Sequence, residues 1–379
     1  MRSSTRGAVD PFIVMDVMEA ARQREAAGHR VIHMEVGQPG TPAPKGAREA
    51  LARAMEQGSL GYTVALGLPE LRERIARMYR ERYGIDLDPA RVIVTSGSSG
   101  AFLLAFTHHF DAEDRVALGE PGYPSYRQIL KALSLEPVGL PSRPENRLQP
   151  VPGDLPSDIH GLIVASPANP SGTMLDKPAL TALIEAAAER DAVFVSDEIY
   201  HGIEYERRGI SALEVSDEVT VINSFSKYYS MTGWRIGWMV MPEAHVRPIE
   251  RLAQNMFICA PHAAQVAALA AMDCDEELQG NLAVYAESRR LLIEGLPKAG
   301  FRDVAPPDGA FYVYADVSDF TDNALAFCKR ILDEAGVAVT PGLDFDPHRG
   351  HRTIRFSYAR STPDIAEGLE RLAAFTASL

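Results

Sequence analysis

Two hydrophobic patterns alternate along the middle of the chain. Short runs of β-branched and other apolar residues, typical of buried strands, lie at residues 92–95, 116–119, 162–166, 193–197 and 219–223. Longer stretches separate most of these runs, and two of them, 102–110 and 180–188, have the apolar spacing of a helix face. The alternation predicts βαβ units and a mainly parallel sheet covered by helices on both sides.

The two ends of the chain have a more mixed pattern. Residues 9–28 have the spacing of a helix, and from about residue 291 helices alternate with strands at 311–315, 337–340 and 353–357. A further apolar run at 236–241 is predicted to close an edge of the central sheet, and the proline-rich stretch 141–156 is predicted to be a surface connection.

These patterns predict an α/β protein of two domains. Residues 41–285 form a large domain with a mainly parallel mixed sheet covered by helices. Residues 1–40 and 286–379 together form a smaller α+β domain built from both termini. In such folds a small molecule binds beyond the carboxyl ends of the strands, in the cleft between the domains.

Composition and charge narrow the class of partner. The chain has 379 residues, of which 46% are hydrophobic and 23% charged, as in ordinary globular proteins. Its formal net charge of −13 argues against nucleic acid or an anionic membrane surface as partner. We find neither a membrane span nor a signal-peptide pattern, so a cytoplasmic location is expected. Cys259, Cys274 and Cys328 have no metal or disulfide spacing and are predicted to be buried free thiols.

Three polar segments follow predicted strands. Small residues at 95–100 lie between a strand and a helix, where backbone N–H groups suit a phosphate, although a plain turn explains them equally well. Residues 169–173 have the composition of an ordinary turn. Asp197 ends a buried strand, and a buried carboxylate requires a donor or a cation as partner.

A fourth segment carries the most specific chemistry. Lys227, one of six lysines in the chain, follows a buried strand beside Ser224 and Ser226, with Arg235 eight residues later. In a low-dielectric cleft the pKa of a lysine falls, and its amine becomes a nucleophile capable of forming a Schiff base. The serine hydroxyls and the guanidinium group of Arg235 are suitable donors to one phosphate.

Further segments with a distinctive order surround these four along nearly the whole chain. Together the segments are 36–39, 61–63, 67–72, 96–100, 120–124, 169–172, 197–200, 224–227, 231–235, 309–312 and 354–357. Each segment is weak alone, and their order together is specific. In this order they resemble the fold type I, pyridoxal phosphate-dependent aminotransferases of class I/II, the aspartate aminotransferase-like group.

The resemblance implies roles for the residues around the cofactor ring, pyridoxal 5′-phosphate. Lys227 matches the lysine that holds the cofactor as a Schiff base and moves the proton between substrate Cα and the cofactor. Asp197 matches the carboxylate that keeps the pyridine nitrogen protonated. Asn169 and Tyr200 match the pair that hydrogen-bonds the phenolic oxygen of the ring, and Tyr123 matches the aromatic residue that stacks on the ring.

The resemblance also implies a phosphate site shared between two subunits. The phosphate-binding positions match Ser98, Ser99, Ser224, Ser226 and Arg235. Tyr62 matches a tyrosine that reaches the phosphate from the neighbouring subunit, which implies a homodimer.

For the substrate, the resemblance implies that Arg355 clamps the α-carboxylate, with help from Asn169 and the backbone N–H of Gly37. Without the resemblance, a strand arginine such as Arg355 would be assigned to the surface. No second arginine clearly matches one that binds a side-chain carboxylate, so dicarboxylate specificity is not implied. The histidines at 108–109 and 348–351 lack companions at ligand spacing, and no metal site is predicted.

The predicted function is transamination between an L-amino acid and a 2-oxo acid through Lys227. Two alternatives remain open at this point: β-elimination of the C–S lyase type on the same fold, and a cofactor-binding regulatory domain without catalysis. The regulatory alternative normally requires a DNA-binding domain before the segment at 36–39, which only about 30 residues precede. The amino donor and the acceptor are not predicted.

Overall fold

A computed structural model of the protein describes residues 2–302, 304, 305 and 307–379. Its α-helices are α1 (Ile13–Ala26), α2 (Lys45–Gln57), α3 (Pro69–Tyr83), α4 (Gly97–His109), α5 (Pro124–Ala132), α6 (Lys177–Ala188), α7 (Glu243–Met256), α8 (His262–Ala271), α9 (Asp275–Lys298), α10 (Ala324–Arg330) and α11 (Thr362–Thr376). Its strands are β1 (Ile32–His33), β2 (Val92–Thr95), β3 (Arg115–Glu120), β4 (Glu136–Pro141), β5 (Gly161–Ala165), β6 (Val193–Asp197), β7 (Thr220–Ser224), β8 (Gly237–Val240), β9 (Tyr312–Asp316), β10 (Val337–Ala338), β11 (Thr340–Pro341) and β12 (Thr353–Ser357).

A seven-stranded mixed sheet organises the larger part of the chain, and it confirms the predicted α/β class. The strand order is β2-β8-β7-β6-β5-β3-β4. Every neighbouring pair is parallel except the two pairs formed by β8, which runs antiparallel to β2 and to β7. β2 therefore runs in the same direction as β3, β4, β5, β6 and β7, so these six strands end at the same edge of the sheet. The four polar segments lie at the ends of β2, β5, β6 and β7.

One detail of the predicted sheet was wrong, and one of its strands was not predicted. The run at 236–241 does not close an edge, because β8 pairs on both sides and lies inside the sheet. The edge beyond β3 is formed instead by β4, whose proline-containing, partly exposed sequence has no strand pattern. Both differences have the same cause: lateral order in a sheet depends on pairing between distant segments, which local periodicity does not contain.

Alternate residues of the strands pack into two hydrophobic cores, one on each face of the large sheet. Val94 and Leu162 belong to one core, while their neighbours Ile93 and Ile163 belong to the other. Helices α3, α6 and α8 cover the first face, and α4, α5 and α7 cover the second. This is the arrangement expected of buried parallel strands.

The two ends of the chain meet in smaller sheets. β1, near the N-terminus, pairs in parallel with β10 through Ile32 and Val337. β12 is the central strand of a three-stranded antiparallel sheet, between β11 and β9. The predicted strand 337–340 is thus divided between two sheets.

Helix α9 joins the larger and smaller parts. Near its start, Leu278 packs into a core of the seven-stranded sheet, whereas Tyr285 and Leu292 pack into the core around β9 and β12. The predicted boundary at residue 285 therefore falls inside one continuous helix, at the point where its packing changes.

Two expectations drawn from composition concern the membrane and the cysteines. None of the helices in the described residues combines the length and the apolar character needed to cross a bilayer. The three cysteines are free thiols. Cys328 is buried as predicted, whereas Cys259 and Cys274 are partly exposed.

Candidate active site

Most of the predicted site residues line one pocket at the carboxyl edge of the large sheet. They are Gly37, Ser98, Ser99, Tyr123, Asn169, Tyr200, Ser226, Lys227, Arg235 and Arg355. Asp197 and Ser224 are buried beside this pocket. Tyr62 is not part of the pocket in the single chain, where its side chain is 81% exposed.

Lys227 lies in the loop that follows β7 and points into the pocket. Its Nζ donates a hydrogen bond to the carbonyl oxygen of Gly37 at 2.6 Å. Burial, and then the positive charges of Arg355 and Arg235, lower the pKa of Lys227 to about 8. A neutral, nucleophilic amine is therefore accessible close to neutral pH.

Asp197 lies at the end of β6 and is only 4% exposed. One carboxylate oxygen accepts a hydrogen bond from the Tyr126 hydroxyl, and the other accepts one from the Ile199 N–H at 3.1 Å. Burial raises the pKa of Asp197 to about 6, and these hydrogen bonds oppose the rise. A cationic ring nitrogen held against this carboxylate would favour its charged form.

Tyr126 is a site residue that the sequence analysis missed. It lies on α5, three residues after Tyr123, the N-cap of that helix, and the two rings pack edge to face with centroids 5.2 Å apart. The i, i+3 spacing of the two tyrosines is the only signal in the sequence that could have indicated it.

An anion-binding corner lies at the start of α4. Gly97 has a φ of +73°, and a Cβ at this position would overlap the guanidinium group of Arg235. Arg235 therefore lies directly against the helix N-terminus, where unpaired N–H groups and the helix dipole favour a phosphate. The Ser224 hydroxyl donates to the Ser226 hydroxyl at 2.8 Å, which fixes the serines of the neighbouring loop.

Arg355 is buried, at 2% exposure, contrary to the usual position of strand arginines. Its guanidinium group packs against the rings of Tyr312 and Phe345, with Cζ 4.4 Å and 4.7 Å from their centroids. Nη1 donates to Oδ1 of Asn169 at 2.9 Å, and Nη2 donates to the carbonyl oxygen of Glu35. Nε is buried and has no hydrogen-bond partner in the described residues. A buried guanidinium group with a spare donor fits a carboxylate ligand.

Apolar residues from the N-terminus form a wall of the pocket that sequence reasoning did not predict. Phe12, Val14 and Met15 line the pocket. The carboxylate of Asp344 accepts hydrogen bonds from the N–H groups of Ile13 and Val14, both at 2.8 Å, and holds the start of α1 in place. No local pattern marks these residues as part of a site, because they approach it only through tertiary packing.

The pocket also contains a tyrosine pair. The hydroxyl groups of Tyr200 and Tyr312 are 2.7 Å apart. A Cβ at Gly37 would overlap the Tyr312 hydroxyl, which explains the glycine at position 37. Tyr312 belongs to the segment 309–312, but the sequence analysis assigned it no role.

These groups fit pyridoxal phosphate. The helix N-terminus with Arg235 suits the phosphate, and Asp197 suits a protonated ring nitrogen. Lys227 supplies the amine that reacts with an aldehyde, and Arg355 is available for the carboxylate of an amino acid. Fold and site together define a pyridoxal phosphate-dependent enzyme of fold type I.

Comparison with known proteins identifies the family. The family model described as aminotransferase class I and II matches residues 29–372. The chain is 46% identical to the valine–pyruvate aminotransferase of Mycobacterium tuberculosis, over 100% of this chain and 99% of that protein. The protein therefore belongs to the class I and II aminotransferases and catalyses pyridoxal phosphate-dependent transamination.

Solved structures agree with this assignment. An aminotransferase from Mycobacterium tuberculosis superposes with a TM-score of 0.98 at 45% identity, covering 100% of both chains. The aspartate aminotransferase of Thermus thermophilus with maleate gives a TM-score of 0.92 at 32% identity, covering 99% of this chain and 100% of that one. The comparisons give no support to β-elimination or to a regulatory role.

Proposed function

We propose that this aminotransferase transfers the amino group between an aliphatic L-amino acid, valine or a close analogue, and pyruvate. The observation that carries this proposal is the apolar wall formed by Phe12, Val14 and Met15 beside Lys227. An apolar wall favours an aliphatic side chain, because polar groups would lose hydration there without gaining partners. The name of the Mycobacterium tuberculosis relative supports the same pair of substrates.

The charges in the pocket argue against a dicarboxylate substrate. Among the described residues of this chain that line the pocket, the arginines are Arg235 and Arg355. Arg235 lies at the anion-binding corner, and Arg355 is assigned to the α-carboxylate of the substrate. Neither is then available for a second carboxylate on the substrate side chain.

The residue roles inferred above complete the proposal. The bound cofactor supplies an electron sink for the negative charge that develops at substrate Cα. Lys227 Nζ holds the cofactor and, once released, takes the proton from Cα. Asp197 keeps the ring nitrogen protonated, Asn169 and Tyr200 orient the ring oxygen, and Tyr123 stacks on the ring face. Arg355, with the Gly37 N–H, orients the substrate carboxylate.

The phosphate site contains the remaining predicted residues. Ser98 and Ser99 offer backbone and hydroxyl donors at the start of α4, and Ser226, oriented by Ser224, offers a further hydroxyl group. Arg235 supplies the positive charge.

The proposed active unit is a homodimer. Tyr62 and Val64 are exposed on a loop that contacts α8, because His262 Nδ1 lies 2.8 Å from the Gly61 carbonyl oxygen. Ile258, just before α8, is also exposed. A second copy of the chain would cover these apolar side chains and bring Tyr62 to the partner's phosphate site.

Mixed dimers test the role of Tyr62. Tyr62→Ala and Lys227→Ala chains are coexpressed and compared with each variant alone. Random pairing makes half of the dimers mixed. If Tyr62 acts across the interface, each mixed dimer has one intact site out of two, so about a quarter of wild-type activity returns. If Tyr62 acts within its own chain, no mixed site is intact, and activity that stays at the level of the single variants would refute the shared site.

A half-reaction screen tests the substrate. The cofactor-loaded enzyme is mixed with single amino acids, and conversion to the amino form is followed by absorbance. We expect valine to react faster than aspartate, and pyruvate to reverse the change. Faster conversion by aspartate would overturn the proposed substrate class.

A variant of the apolar wall tests the same proposal. Met15→Ala is expected to lower the kcat/KM ratio of valine to alanine by about tenfold, because it removes side-chain packing from the substrate pocket. Met55→Ala, on the exposed face of α2, serves as the matched control and should leave the ratio unchanged.

The cellular location is also part of the proposal. The three cysteines are free thiols, which fits the reducing cytoplasm. Detection of the enzyme in a cytoplasmic fraction, with the thiols reduced, is the expected result.

A further inference from the structure

We propose that the protein binds one divalent transition-metal ion, of the Zn²⁺ type, at a site formed by His108, His109 and His245. Each of these side chains offers a ring nitrogen, and the three nitrogens lie within 4.8 Å of one another. His108 and His109 end α4, and His245 lies in the first turn of α7, 137 positions after His108. The sequence predicted no metal site here, because the adjacent pair has no carboxylate or thiolate companion at ligand spacing, whereas the fold adds a third histidine.

The ring geometry suits a shared cation. The ring centroids are 4.8 Å apart for His108 and His109, 5.0 Å for His108 and His245, and 5.4 Å for His109 and His245. His108 Nε2 lies 2.8 Å from His245 Nδ1, so one proton is shared between two ring nitrogens. A tetrahedral ion with Zn–N bonds of about 2.05 Å separates its ligand nitrogens by about 3.3 Å, so small ring rotations replace the proton with the metal.

A contact outside the cluster orients one of its rings. His109 Nε2 lies 3.0 Å from the Thr220 hydroxyl, and second partners orient metal-bound histidines in the same way.

The ligand set indicates the class of metal. Three imidazoles suit Zn²⁺, Cu²⁺ and Ni²⁺, whereas Mg²⁺ and Ca²⁺ prefer oxygen ligands. Among the described residues, the group of candidate ligands contains these histidines without a carboxylate or a thiolate. Water would complete the coordination, since all three side chains are only partly buried.

The position of the cluster indicates a stabilising role. α4 starts at the anion-binding corner and ends at the histidine cluster. β7 starts at Thr220, which contacts the cluster, and ends three residues before Lys227. The thirteen residues of α4, at about 1.5 Å per residue, place the metal about 20 Å from the anion-binding corner. The ion would connect α4 and α7 without contacting the reacting groups.

Cobalt is the probe, because its visible absorption reports the coordination geometry. Cofactor-loaded enzyme is first treated with a chelator and then titrated with Co²⁺, with no amino acid present. We expect one equivalent per chain, d–d bands of a nitrogen-ligated tetrahedral ion at wavelengths beyond the cofactor absorbance, and displacement by Zn²⁺. Zn²⁺ should also raise the unfolding temperature and leave kcat unchanged. Failure of the wild-type enzyme to bind Co²⁺ would overturn the proposal.

Variants locate the site. His108→Gln and His245→Gln are expected to weaken Co²⁺ binding at least about tenfold and to abolish the tetrahedral spectrum, while circular dichroism and transaminase activity remain those of the wild type. His29→Gln, at an exposed histidine outside the cluster, is the matched control and should bind as the wild type does. Unchanged Co²⁺ binding by His108→Gln and His245→Gln would place the ion elsewhere and refute the site.

Discussion

Removal of the cofactor leaves the Lys227 amine free to titrate, and its surroundings determine the pH at which it does so. Burial disfavours the charged ammonium form, and the positive charges of Arg355 and Arg235 disfavour it further. Together they lower the pKa of Lys227 from 10.5 to about 8. At pH 7 the neutral fraction is about 9% for a pKa of 8, but only about 0.03% for a pKa of 10.5. The nucleophilic fraction of Lys227 is thus expected to exceed that of an exposed lysine about 300-fold.

Competitive trace acetylation of the apoprotein measures this difference directly. Isotope-labelled acetic anhydride is applied from about pH 6 to about pH 11, and mass spectrometry follows each lysine separately. Limited access to the pocket scales the rate of Lys227 but does not move the midpoint of its pH profile. Lys45 and Lys329, whose side chains are both 76% exposed, serve as internal controls with midpoints near the ordinary lysine value.

A variant tests the cause of the shift. Arg355→Met removes one of the two nearby positive charges, so the midpoint of Lys227 should rise from about 8 toward the ordinary value. A wild-type profile of Lys227 that coincides with those of Lys45 and Lys329 would refute the reasoning.

Three further substitutions test the other parts of the site. Arg355→Lys removes the planar guanidinium group and should raise the KM for the amino acid about 100-fold in steady-state assays, so a KM within threefold of wild type would contradict the carboxylate role. Tyr126→Phe removes a hydrogen bond that lowers the pKa of Asp197 and so favours its charged form. Because the charged form pairs with the protonated ring nitrogen, cofactor affinity should fall about tenfold in fluorescence titrations of the apoprotein. Gly97→Ala, at φ +73°, should cost about 1–2 kcal/mol in urea unfolding and weaken cofactor binding, whereas Gly84→Ala, at the same φ with open space around it, should affect stability alone.

Local sequence predicted the large sheet well, because buried parallel strands are short, apolar and separated by helices. The predicted strands at 92–95 and 193–197 coincide with β2 and β6. Asp197 and Lys227 could be singled out because Asp197 is the last residue of such a strand and Lys227 lies three residues after one, and parallel strands bring those ends to one edge.

Other parts of the site could not be read from local sequence. Arg355 is buried because residues far away in the chain, among them Asn169 and Glu35, surround its guanidinium group. Phe12 and Met15 reach the pocket because Asp344, more than 300 residues later, binds the backbone at the start of α1. Here the resemblance to a family supplied the role of Arg355, and nothing supplied the apolar wall.

By itself, the sequence determined the α/β class, the polar segments at the strand ends and the lysine on which the chemistry depends. These are local properties, since each depends on neighbouring residues along one strand or turn. The tertiary structure decided which distant groups share an environment: Tyr126 with Asp197, the N-terminal wall with Lys227, and His245 with the histidines of α4. Side-chain pKa values and ligand geometry depend on distances of a few ångströms in space, and only the folded chain sets those distances.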